Sequence, residues 1–349
     1  EIKATKDTDN FGEITINKNL TIKKADGTAT AVINANCNHT GAPPFGAPTT
    51  EYRIFDVESS KTLTLENLTL KNGKKDATGG GIFVTGTVKL SDCIIENCKA
   101  QKGGAIGGTG NVILTATKVS NCTATSGEKG GGAIYTKGGT VTITNCTLTG
   151  NTAAQNGGAI YAEKTDIGSN PAATVTIKGG IIGGDGTAGN KVTDQYGFGG
   201  GIFVNDGCIL TLDKYTDGSG TQIIGNQAGR AGGVRANNST VTMIGCTISV
   251  NKSTDAANTG GGGGVYIQGN TSGQPITMTD CTIQGNTAAA YGGGVCIEKG
   301  TITLKNRLHP YGQQGKERRR NRRTKGHHSV GRPAQRNNLR RYHRWHRCT

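Results

Sequence analysis

The chain has 349 residues, of which 58 are Gly, with 33% hydrophobic and only 5% aromatic residues. That composition argues against a globular core of large side chains and suits a repeat array, in which each unit buries a thin layer of small aliphatics against its neighbours. The net charge of +15 is not spread evenly: from Arg307 onward there are 14 Lys and Arg against one acid, Glu317, while residues 1–306 carry 25 basic and 23 acidic residues.

No apolar run approaches the roughly 20 residues that span a bilayer as a helix. The first residue is Glu1, and no basic-then-apolar leader follows it, which reads as a processed chain or a fragment.

In chain order, residues 1–78 read as lead-in coils. EITINKNLTIKKADGT gives two strands and a turn, KTLTLENLTLKNG repeats the theme, and residues 38–50, with three of the seven prolines, form a loop. Residues 79–306 are a repeat. A Gly-Gly-(Gly/Ala)-(Ile/Val) tetrad stands at Gly79–Ile82, Gly103–Ile106, Gly131–Ile134, Gly157–Ile160, Gly199–Ile202, Gly262–Val265 and Gly292–Val295, with a shorter form at Gly232–Val234. With the shorter form counted, the aliphatic members are 24 to 42 residues apart, which suits one coil of a three-sided solenoid, and the longest step leaves room for an insertion around 163–173. A second motif follows in register: VTITNCTLTGNTA at 141–153, VTMIGCTISVNKS at 241–253 and ITMTDCTIQGNTA at 276–288. Its alternation of aliphatic residues with Thr is the period of a half-buried strand. Three short strands per coil are therefore expected, after the tetrad, at V-T-I and at C-T-[IL], with Gly and Asn at the corners. About ten coils stacked ~4.8 Å apart make a rod of roughly 50 Å.

These residues resemble the chlamydial polymorphic membrane protein family, whose repeats alternate GGA[ILV] with FxxN. The first motif is literal at Gly103–Ile106, Gly131–Ile134 and Gly157–Ile160. The second occurs with an aliphatic in place of Phe, at Leu148–Asn151, Ile223–Asn226, Ile248–Asn251 and Ile283–Asn286. The resemblance covers about residues 79–306. It implies an all-β fold, a right-handed parallel β-helix of the pectin-lyase type, carried outside a bacterial cell in association with the outer membrane, as the passenger of an autotransporter.

Candidate chemistry is sparse. Cys93, Cys122, Cys146, Cys246 and Cys281 occupy one repeat position, as a buried ladder or as neighbours close enough for disulfides. Cys93 and Cys98 lie five apart, but no second pair completes a zinc site, and His39 is the body's only histidine. Asn151, Asn226, Asn251 and Asn286 recur at a corner, as a hydrogen-bonded ladder or, less simply, as ligand contacts. A polysaccharide lyase or hydrolase would need Arg, Lys, His and paired Asp on one face, and the body offers only Arg53, Arg230 and Arg235 as arginines, with its single Trp outside the repeat. GxxxxGK[ST] and the nine-residue calcium-binding GGxGxD period are absent. No catalytic, cofactor-binding or metal residue is therefore assigned, and no cofactor is expected. The expected function is non-catalytic adhesion to host-cell, matrix or glycan ligands, with a carbohydrate-active enzyme or an inert spacer as alternatives.

The tail, 307–349, is expected to be disordered and out of frame. Codons compatible with Leu308–Arg322, read one nucleotide forward, permit CTLTGNKAKNGGAI, beside CTLTGNTAAQNGGAI at Cys146–Ile160. Translated as written, its arginines would bind nucleic acid or anionic lipid; as a shifted frame they bear no function, and no nucleic-acid partner follows.

Overall fold

The computed structural model describes residues 13–27, 30–35, 51–165, 172–256, 261–269 and 275–305, together with short strands at 309–311, 314–316 and 346–347. The proline-rich stretch at 38–50 and most of the expected insertion lie outside the described residues.

The chain winds into a parallel β-solenoid. Strands stack in register, each pairing with the same position of the coils before and after, to form four parallel sheets of 11, 10, 10 and 9 strands. The tetrad face runs from Ile14–Ile16 through Ile134–Lys137 and Ile160–Glu163 to Val295–Ile297 and His346–Arg347. The V-T-I face includes Thr140–Thr144 and Thr174–Lys178, and the C-T face Thr147–Thr149 and Thr247–Ser249.

The fourth face was not expected. It is built of strands such as Thr123–Ala124 and Thr152–Ala153, which bring the chain from the C-T face back to the next tetrad. A coil therefore has four sides rather than three.

Alternation then sorts the side chains. On the V-T-I strand Thr140–Thr144, Val141 and Ile143 point inward and are buried, while the threonines face out. The same holds on the C-T strand, where Leu148, Ile182, Ile223 and Ile248 stack in one fully buried row. A buried Leu or Ile contributes roughly 1.5–3 kcal/mol. With several per coil repeated along the rod, no large aromatic centre is required.

Two corners of each coil turn on a single residue of positive φ. Asn145 at 49° and Asp280 at 53° lead into the C-T strand, and Asn97 at 56°, Gly225 at 65° and Gly285 at 60° follow it. Asn, Asp and Gly tolerate this conformation. Val250 does not, yet it occupies the second corner at φ 57° between coils that use Gly225 and Gly285, and its side chain is 58% exposed. A β-branched residue there is strained by about 1–2 kcal/mol. Val250→Gly is expected to raise the unfolding free energy by about 1 kcal/mol in urea titration; an unchanged or lowered midpoint would show that the corner is unstrained.

The long step between Ile160 and Ile202 is absorbed at corners. Besides the insertion after Thr165, the chain swells outward through the 3-10 turn Gly186–Ala188 and rejoins the stack at Lys191–Val192. Most of the tail lies outside the described residues, and three short pieces of it are described. His309–Tyr311 extends the C-T face, Gln314–Lys316 the fourth face and His346–Arg347 the tetrad face, each as a parallel strand. Backbone groups at the end of a sheet offer unpaired donors and acceptors to any chain that can lie alongside them.

Candidate functional site

The recurring asparagines form a buried ladder inside the corner between the C-T and fourth faces. Asn151, Asn190, Asn226, Asn251 and Asn286 are each fully buried. The Nδ2 of Asn226 donates to the Ile182 carbonyl at 2.9 Å and to Asn251 Oδ1 at 3.0 Å, while its own Oδ1 accepts from the Asn190 backbone N–H at 3.1 Å and from Asn190 Nδ2 at 2.9 Å. The same pattern links Asn151 to Asn190 and Asn251 to Asn286. These side chains are saturated by one another and by turn backbone, so the ladder is structural. Asn190 belongs to it although no I-x-x-N motif announces it.

Six of the cysteines divide between two ladders. Strand register places Cys93, Thr117, Cys146, Gly180, Thr221, Cys246 and Cys281 at one position, immediately before the C-T strand. Cys122 is not in that row, which corrects the sequence reading. It stands with Cys98 at the position the asparagines occupy in later coils, and its backbone N–H donates to Asn151 Oδ1 at 3.0 Å. Thr117 fills the vacated place. Cys93, Cys98, Cys122, Cys146, Cys208, Cys246 and Cys281 are buried free thiols, and among the described residues no three His, Cys, Asp or Glu side chains gather around a point.

Burial pushes the Cys146 thiol up to about 11 and that of Cys208 to about 12. A raised folded-state pKa means that the stabilisation is complete below the unfolded value near 9 and is lost as pH climbs toward 11–12. The urea midpoint should thus hold up to about pH 9 and fall above it. Cys146→Ser with Cys208→Ser should flatten that decline; an unaltered slope would assign it to other groups.

Charged and aromatic side chains converge on the outside of the tetrad face. There the residue after each tetrad faces outward, and the register stacks Phe83, Gly107, Tyr135, Tyr161, Phe203, Arg235 and Tyr266 in one row. Outward residues of a solenoid are ordinarily wet, yet Tyr135, Tyr161, Phe203, Arg235 and Tyr266 are each at most 5% exposed. They pack on one another and under the connection from the fourth face, which contributes Phe198. Ring centroids are 6.0 Å apart for Tyr135–Tyr161, 5.2 Å for Tyr161–Phe203 and 5.9 Å for Phe198–Phe203.

The arginines complete this outer layer. The Arg235 guanidinium lies 3.8 Å from the Phe198 ring centroid and 4.7 Å from that of Tyr266, and burial lowers its pKa to about 10, leaving it charged at neutral pH. Arg230 pairs with Asp255 at 2.8 Å, and Arg53 lies between Glu13 and Asp56, 4.8 Å over Phe83. All three arginines of the body thus share one face. Glu163 accepts the Tyr135 hydroxyl at 2.6 Å, the Tyr161 hydroxyl at 3.1 Å and Lys129 Nζ at 2.8 Å. Burial and the Glu163 charge push the Tyr161 phenol far up, and burial raises Tyr266, whose hydroxyl donates to Glu298, to about 12. The tyrosine hydroxyls meet carboxylates and the Arg235 guanidinium lies against rings, so the layer acts as a second, external core. Its sequence signal was the aromatic that recurs directly after the tetrad, in GGAIY, GGAIY, GGGIF and GGGVY.

Residues 145–163 and 280–298 match the family model of the Chlamydia polymorphic membrane protein (Chlamydia_PMP) repeat. The chain carries chlamydial PMP repeats. Each matched PMP stretch begins at a positive-φ corner, Asn145 or Asp280, and passes through a ladder asparagine, Asn151 or Asn286. It ends on an outward carboxylate, Glu163 or Glu298, that accepts a tyrosine hydroxyl. The matched stretch therefore runs from the corner before the C-T strand across the C-T and fourth faces to the outer layer of the tetrad face, three of the coil's four sides. No curated protein and no solved structure matches the chain.

Proposed function

We propose that the chain is a secreted or surface-displayed adhesin shaft of the autotransporter-passenger type, which binds host-cell, matrix or glycan ligands without catalysis. The observation that carries this reading is the distribution of chemistry over the solenoid. Two of its 19-residue segments are PMP repeats of surface proteins, and the outward residues form long rows rather than converging on one cleft. Repeated rows favour many weak contacts over a single strong one, and avidity then multiplies them. The catalytic alternative draws on the Arg230, Arg235 and Asp255 cluster, which does gather charge on one face. In that cluster the guanidinium groups lie against rings and the carboxylate against Arg230, which favours packing over turnover.

The test applies the labelled chain to cultured host cells, extracellular matrix and a panel of immobilised glycans. Saturable binding that unlabelled chain displaces, with no release of reducing ends from the glycans, is the expected result. Absence of binding on all three would leave a spacer, and glycan cleavage would make the chain an enzyme.

A further inference from the structure

We propose that the V-T-I face is an ice-binding surface. Register places Thr142, Thr176, Thr211, Thr242, Thr277 and Thr303 at the same outward position of six successive coils. This is an unbroken row of identical side chains at the inter-strand spacing of about 4.8 Å. Two residues earlier on the same strands, Thr140, Thr174, Thr240 and Thr301 begin a parallel row about 6.7 Å away, interrupted by Ile209 and Pro275. The two rows form a two-dimensional grid of hydroxyl and methyl groups.

Three further observations turn the grid toward an ordered water lattice. First, the hydroxyls of Thr142, Thr176, Thr211, Thr242, Thr277 and Thr303 make no hydrogen bond to the protein, unlike Thr85, Thr117 and Thr125, which bond to backbone carbonyls. Each of the six keeps one donor and two acceptor positions for water.

Second, the grid carries no charge. From Thr140 to Thr303 both rows consist of Thr, one Ile and one Pro, and Lys178, Asp213 and Lys305 lie in the adjoining third row, two residues further along the same strands. A charged side chain would orient its own hydration shell against the lattice; a neutral hydroxyl both donates and accepts, as each water in ice does. The neutral face of an ice crystal therefore complements a neutral grid.

Third, the face is bare. The tetrad face is roofed by its aromatic layer, whereas the row threonines remain solvent-accessible. Crystalline glycans are the other repeating solids of similar period. Their apolar sugar faces call for stacked aromatic rings, and the V-T-I strands present none outward. The strands keep one register across these coils, so the hydroxyl spacing does not drift. Water held over the methyl groups is already restricted in orientation, which lowers the cost of joining it to a growing lattice. This activity is separate from adhesion and does not depend on where the chain is displayed.

The experiment is thermal hysteresis of the purified full chain in a nanolitre osmometer, with ice morphology recorded. A gap between melting and growth with faceted crystals is expected. Thr211→Lys and Thr242→Lys, which place a charge in the middle of the grid, should abolish the gap. Thr282→Lys, outward on the C-T face, should keep it. Circular dichroism checks folding, and if either lysine variant is unfolded, Thr242→Val removes the hydroxyl while keeping the branched shape and should shrink the gap. Round, unshaped ice with the unmodified chain overturns the proposal. So does a gap that survives the grid substitutions, or retention on crystalline chitin or cellulose with ice growth unaffected.

Discussion

Asn226→Ala should destabilise the solenoid by about 4 kcal/mol. The arithmetic follows from four hydrogen bonds in a site of zero exposure. Truncation leaves the Asn190 backbone N–H and Nδ2 without an acceptor, and the Ile182 carbonyl without a donor. Each buried polar group so orphaned costs about 1–3 kcal/mol, and a small cavity adds to the sum. A surface control such as Thr176→Ala should stay within about 0.5 kcal/mol. Urea unfolding followed by circular dichroism gives both values. A loss under 1 kcal/mol for Asn226→Ala would mean that water enters and satisfies the ladder. Asn226→Asp separates the terms further: its oxygens still accept from Asn190, but the donor to Ile182 is gone and a charge is buried, so it should be no better than alanine at neutral pH.

Gly158→Ala is the second large effect, and its origin is steric. A methyl group on Gly158 would run into the Gly200 carbonyl oxygen of the next coil and would lie 2.8 Å from the Lys191 nitrogen. Both obstacles are backbone. The segment cannot move aside without breaking the ladder bonds from Gly158 to Gly199 and from Ala159 to Gly201, both 3.0 Å. A loss above about 3 kcal/mol is expected, with proteolysis opening the coils around residue 158 before the rest. A melting temperature within a degree or two of the unmodified chain would show that the coils can part at little cost. The neighbouring Gly157, at φ 62°, is constrained for a different reason, its left-handed backbone. The third tetrad position is less restricted, since Ala105, Ala133 and Ala159 occupy it in three coils. That is the physical content of the motif: the first glycine turns the chain, the second lets coils touch, and the third is merely small.

Much of this was legible before any coordinates. The tetrads, V-T-I alternation and recurring asparagines placed three of the four faces, because each leaves a pattern longer than its own strand. The fourth face was not legible, since two-residue strands such as Thr152–Ala153 are too short to show a period. Cys122 was misassigned because Asn121-Cys122-Thr123 copies Asn145-Cys146-Thr147 in letters while differing in register. Counting from the V-T-I strand separates them: Cys122 lies eight residues after Leu114, as Asn151 does after Ile143. Counting back from the tetrad fails, because the corner before it varies in length. The outer aromatic layer shows the same division. Its rings could be found in the sequence, but their burial depends on Phe198 arriving from another side of the coil.

The in-register stacking has a genetic consequence. Gly131 and Gly157 hold the same place in successive coils and share the same left-handed backbone, at φ 76° and 62°. A gene deletion that joined Gly131 directly to Gly158 would recreate an intact tetrad, and the strands on either side would meet partners of the kind they had lost. Recombination between copies can therefore shorten or lengthen the molecule by whole turns of about 4.8 Å. Copy number becomes a heritable variable that sets how far the rod reaches and how many threonines its grid contains.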